Sequence, residues 1–166
     1  MMLNKVKRKI MLNRFLDSKV LTFCGRVKMI AIAFVLYALY LWFFKSHMEQ
    51  LFRMGQFNFG FTEPLTTTEM FLRACILAPL WEEMAFRYAP FQITRGFSEK
   101  KFTIPMIVLS SCVFGVIHGG VANIFVQGVM GVFCSVIYVK SNYKILVPMT
   151  LHMLWNSFCL FILHVN

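Results

Sequence analysis

From residue 29 to residue 44 the chain reads MIAIAFVLYALYLWFF, a run without a charge, a proline or a glycine. In a bilayer, where backbone N–H and C=O groups find no water, such a run must form a helix that satisfies its own hydrogen bonds. Four further apolar stretches follow, over about 69–90, 102–119, 121–139 and 145–165. Only 14% of the residues are charged and 58% are hydrophobic, with a mean hydropathy of +0.66. A soluble domain carries about 25% charged residues. The deficit points to lipid as the solvent. The expected fold is all-α, a polytopic transmembrane helix bundle of about five spans behind a basic N-terminal arm. The arm is expected over 1–28, and a single transmembrane domain over 29–166.

The charges that do occur are grouped. Eight of the 17 Lys and Arg fall in the first 28 residues. A basic arm next to an apolar span is a positive-inside signal rather than a nucleic-acid site, so no nucleic-acid partner is expected. Apolar residues among these charges, such as Ile10, Phe15 and Leu16, suit an interfacial helix on anionic lipid. The polar stretches 92–101 and 140–144 are also basic. With five spans, all three basic regions share one face, which puts the N-terminus in the cytoplasm of, in all expectation, a bacterial plasma membrane. The arm has no A-x-A-like cleavage site, so it is not read as a signal peptide. The five cysteines form no C-x-x-C pair and read as small core residues. Gly128, Gly131 and Ser135 form a small-residue stripe that lets helices approach closely.

Against this background, LAPLWEEMAFRYAPF (77–91) is anomalous, because it sets Glu82, Glu83 and Arg87 inside an apolar run. A charge at the bilayer centre costs about 2.5–3.5 kcal/mol on insertion scales, so an ionisable residue there is a candidate for function. Glu83 and Arg87 stand at i, i+4 with the acid first, the favourable order for a salt bridge. Glu82 points about 100° away round the helix, has no such partner, and suits a general base. Pro79 cannot donate to the carbonyl of Cys75, so a kink is expected before the site. Two other spans carry polar residues on a face set by an i, i+4 pair, His118 with Phe114 in FGVIH and His152 with Asn156 in HMLWN. A carboxylate, two imidazoles and a carboxamide from three helices can activate water and stabilise an oxyanion if they meet. Helix rise puts Glu82 and His152 roughly 10–12 Å from the basic side, and His118 about 20 Å from it for a helix starting near Pro105. Convergence then requires the third helix to tilt or to begin later, near Ile107.

EEMAFR, FGVIH and HMLWN read E-E-x-x-x-R, F-x-x-x-H and H-x-x-x-N, in that order and on separate helices. The pattern resembles the CPBP family of intramembrane proteases, the CAAX proteases and bacteriocin-processing enzymes also called the Abi family. The likeness covers about 70–166. The resemblance implies peptide-bond hydrolysis in a membrane-embedded bundle, in a membrane protein or peptide or a lipid-anchored one. It makes Glu82 the base that activates water. His118 and His152 would hold the water and the substrate carbonyl, Asn156 would be the oxyanion donor, and Glu83 and Arg87 would support the site. Members are described both as metalloproteases and as glutamate-type enzymes. Catalysis without a required cofactor is the expectation here. Zinc is the alternative, with Glu82, His118 and His152 as its ligand set. A silent immunity or binding protein on the same scaffold and a small proton-coupled transporter are the competing functions. The first span and a second protomer are the candidates for completing the cavity of so short a chain.

Overall fold

The computed structural model describes residues 22–54 and 66–165, with side chains described for all of these except 44–54, 96–100 and 163–165. The arm over 1–21 and the glycines and proline of the first loop, Gly55, Gly60 and Pro64, lie outside the described residues, as do the side chains of His47 and His164. The described chain is helical, with no strand among the described residues. Helix α1 runs Phe23–Met54. A short α2, Thr67–Met70, is opened by a full capping box between Thr66 and Glu69, as the Thr66-x-x-Glu69 spacing leads one to expect. A π-helical segment Phe71–Leu77, helix α3 over Ala78–Glu83 and a second π segment Met84–Tyr88 continue without a break into α4, Ala89–Ile117. A 3₁₀ turn, Val121–Phe125, precedes α5, Gln127–Lys140, and α6, Leu146–Val165.

The assignment of α4 conceals a reversal. At 1.5 Å per residue a straight rod would hold residues 86 and 114 about 42 Å apart. The rings of Phe86 and Phe114 are 5.4 Å apart, and Phe91 packs in one cluster with Ile107. Both pairs are centred on residue 99 or 100, so the chain doubles back there with helical backbone on either side. The expected loop over 92–101 is therefore part of two helical limbs, and Pro105 lies inside a helix rather than in its first turn. The expected tilt or late start of the third helix is not what aligns the site. The limb before the turn runs on helically past its apolar stretch of 69–90, so positions 82 and 118 are equidistant from the turn.

Helix α5 is the central rod. Met130, Cys134 and Ile137 pack with Ala33 and Tyr37 of α1 and with Val147, Leu151 and Trp155 of α6. Its Tyr138 packs on the other side with Phe91 and Ile107 of the two α4 limbs. The small-residue stripe makes this possible. A Cβ on Gly131 would come within 3.1 Å of both Arg87 Nη2 and the Ser111 backbone, so a side chain there would have to push these neighbours aside by a few tenths of an ångström. The fourth helix begins later than its apolar run. Gly119 and Gly120 take positive φ values of 136° and 92°, and the chain needs the 3₁₀ turn before it can enter α5.

Helix α1 is tied to this turn by two phenols. Tyr37 donates to the Val126 carbonyl at 2.9 Å and Tyr40 to the Phe125 carbonyl at 2.8 Å. At the opposite end of α5 the Arg95 guanidinium lies over the Tyr143 ring at 4.3 Å, so the reversal and the α5–α6 turn share one end of the bundle. Among the described residues, one helix, Phe23–Phe43, is long and apolar enough to cross a membrane, while the apolar parts of α4, α5 and α6 are shorter. The described chain thus forms five helical rods, of which one meets that standard.

Candidate active site

The two glutamates sit in the six residues of α3, between two π-wound segments. A π turn advances the helix phase relative to α winding, and such turns collect at functional sites. Trp81 is 74% exposed on the outer face. Its neighbour Glu82 turns partly inward, with 22% of its side chain exposed, and Glu83 is fully buried. The different surroundings expected for the two acids are realised by adjacent positions on one short helix.

Glu82 faces both imidazoles. Its Oε1 is 3.5 Å from His118 Nε2 and its Oε2 is 3.5 Å from His152 Nε2. His118 reaches this place as the C-terminal cap of α4, and His152 from the second turn of α6. The opposite nitrogen of each ring is held. His118 Nδ1 lies 2.7 Å from the Phe114 carbonyl, which can only accept, so this nitrogen carries the hydrogen. His152 Nδ1 lies 2.9 Å from Glu83 Oε1. The Glu83 carboxylate is paired with Arg87 at 3.3 Å, so it also acts as an acceptor. In the neutral rings both Nε2 lone pairs therefore point at the Glu82 carboxylate. Acceptors converging in this way suit a donor such as water, which each of them can orient.

Phe114 is the packing centre of the site. It is fully buried, its ring centroid is 4.3 Å from that of His118 and 5.8 Å from that of His152, and the Arg87 guanidinium lies 4.5 Å from the centroid. The aromatic thus fixes both rings and shields the Glu83–Arg87 pair. Asn123 donates to the His118 carbonyl, which holds the cap.

The sequence-predicted residues do not all meet at one point. Glu82, His118 and His152 converge. Glu83 and Arg87 form the expected pair beneath them. Asn156 sits one turn beyond His152, with its Nδ2 donating to the Ala74 carbonyl at 2.8 Å. Two contributions escaped the sequence reading. Glu83 orients His152 as well as pairing with Arg87, a contact 69 positions apart in the chain that helix spacing cannot register. Phe114 was visible only as a motif letter. A carboxylate and two imidazoles, each ring steadied through its second nitrogen, are the donor types of a catalytic zinc site. Among the described residues, no group of three or more His, Cys, Asp or Glu is spaced to hold a metal ion.

Residues 64–158 match a family model described as type II CAAX prenyl endopeptidase Rce1-like. No curated protein and no solved structure matches the chain.

Proposed function

The chain belongs to the Rce1-like type II CAAX prenyl endopeptidase family, a family of proteases, and from that membership we propose that it is an intramembrane endopeptidase whose water is activated by Glu82. The observation that carries the assignment of the base is the carboxylate of Glu82 set between the Nε2 atoms of His118 and His152, 3.5 Å from each. The substrate is a membrane-embedded or lipid-anchored peptide. The family description favours a prenylated one, and bacteriocin processing is the related alternative.

In the reaction, water lies against Glu82 and the Nε2 lone pair of one ring. The other ring enters with a hydrogen on each nitrogen and keeps both throughout. Glu82 takes one of its protons as the oxygen attacks the scissile carbonyl carbon. An imidazole protonated at Nε2 donates to the oxygen that becomes negative in the tetrahedral intermediate. The C–N bond then breaks, and the amine nitrogen leaves with the proton that Glu82 took. Glu83 holds the His152 ring by its Nδ1 hydrogen, the arrangement that keeps an imidazole in the required tautomer. We propose that no cofactor is required. Glu82, His118 and His152 are the donor types a divalent ion would take to polarise the carbonyl as a Lewis acid, but among the described residues no such group is spaced to hold one.

We place the site in a lipid bilayer, with α1 as a span, the basic end of the bundle on the cytoplasmic side and the +10 net charge favouring anionic lipid. The common position of the 92–101 and 140–144 regions supports this orientation. The test uses wild type and Glu82→Gln in liposomes with prenylated and unprenylated membrane peptides, and reads cleavage by mass spectrometry. Loss of a general base lowers the rate by about 10²–10⁴-fold, and wild-type activity persists in chelator. Cleavage by Glu82→Gln at the wild-type rate removes the assignment of the base. A wild type inert across the panel favours proton transport or a binding role.

A further inference from the structure

We propose that Asn156 is a positioning residue. Its amide replaces the backbone donor that Pro79 lacks, and so fixes the winding of the helix that presents Glu82. The inference deepens the protease reading and rests on it for its kinetic arm.

The argument begins with the register. In α winding, the Ala78 N–H would bond the Ala74 carbonyl, four residues back. It bonds the Arg73 carbonyl instead, five residues back. In this register the next amide, at position 79, would serve Ala74. Position 79 is a proline and has no N–H. The Ala74 carbonyl is thus left without a main-chain donor, and Asn156 Nδ2 supplies one at 2.8 Å from α6.

The alternative register makes the consequence specific. If the segment rewound to α, Ala78 would satisfy Ala74, and the carbonyl deprived by Pro79 would be that of Cys75. That group points about 100° further round the helix, away from the acceptor Asn156 now holds. Cys75 is buried, and a buried carbonyl without a donor is costly. Asn156 therefore favours the π register over the α register, and this choice sets the rotation of everything that follows. Glu82 is eight residues on, about 12 Å along the axis, at the end of a rigid segment. A change of phase there turns its carboxylate away from His118 and His152. The same α6 helix carries His152 one turn before Asn156, so a single rod sets both the ring and the winding of the helix facing it.

An oxyanion donor and a positioning residue at this place predict different results. The first measurement is the melting temperature of purified wild type, Asn156→Ala, Pro79→Ala and the double variant in detergent. Asn156→Ala lowers the melting temperature by about 2–4 °C, and by less than half as much when residue 79 is alanine, whose N–H can serve Ala74. Equal falls in both backgrounds overturn the proposal. The second is the pH profile of kcat/KM for Asn156→Ala against wild type. Misplacement of the base lowers the rate by about 10²-fold and moves the acid limb of the profile, because Glu82 changes its position relative to His118, His152 and Arg87. A fall in kcat of about 10²–10³-fold with an unmoved profile identifies a donor to the substrate oxygen and overturns the positioning role. The melting series requires no substrate, so it decides the Pro79–Asn156 coupling even if the wild type cleaves nothing. That last result would remove the protease reading instead.

Discussion

Glu83 is fully buried with Arg87, in contact with a histidine on another helix. Removing one member of a buried ion pair leaves the other uncompensated, at a penalty of about 3–5 kcal/mol. Glu83→Ala is therefore expected to reduce the folded yield and the melting temperature sharply, whereas Glu82→Gln, at a partly exposed position, leaves both near wild type. Thermal unfolding of the two variants side by side checks the contrast. If they melt alike, the distinction between a supporting and a reacting glutamate is lost. The pair itself was legible from its i, i+4 spacing, and Glu82, His118 and His152 stood out as ionisable groups in apolar runs. The Glu83–His152 bond joins distant segments and left no local trace. The proline was legible too, but arithmetic for an α-helix assigned its missing bond to Cys75. Only the π winding moves the deficit to Ala74 and gives Asn156 a partner.

Single contacts at helix crossings govern the elements. A methyl group on Gly131 would press on Arg87 and on the Ser111 backbone at 3.1 Å. Neither can withdraw easily, since Arg87 is itself buried. Overpacking of this kind costs about 1–3 kcal/mol, and Gly131→Ala should lower the melting temperature, while Gly128→Ala, whose Cβ would also meet the Ser111 backbone at 3.1 Å but otherwise only the movable Ile124 side chain, does so less. Equal losses would mean that the stripe acts through backbone entropy alone. The small residues were readable as a close-approach stripe, but not which helix approaches. Boundaries were less readable than rods. The loop over 92–101 was inferred from its polarity, yet polar residues at the end of a bundle are free to stay helical. The start of α5 was set too early because Val121–Phe125 is as apolar as the helix after it, and apolarity does not distinguish a 3₁₀ turn from an α-helix.

For the whole molecule, the basic residues define an end. The reversal near residue 100 and the α5–α6 turn meet through Arg95 and Tyr143. Arg26 lies 11 residues before Tyr37, about 17 Å along α1, in the direction away from the Val126 carbonyl that Tyr37 binds. Single cysteines introduced at positions 98 and 142 in a chain freed of its own cysteines should therefore label from the same side of a sealed vesicle, and one at position 121 from the other. Labelling of 98 and 142 from opposite sides would contradict the positive-inside reading.

The two phenols of α1 tie a helix that lies outside the family match to the candidate site. The family match begins at residue 64, yet the carbonyls that Tyr37 and Tyr40 bind belong to residues just past the histidine cap. A chain cut to residues 64–158 would keep Glu82, His118 and His152 together and lose both phenols that brace the turn following His118.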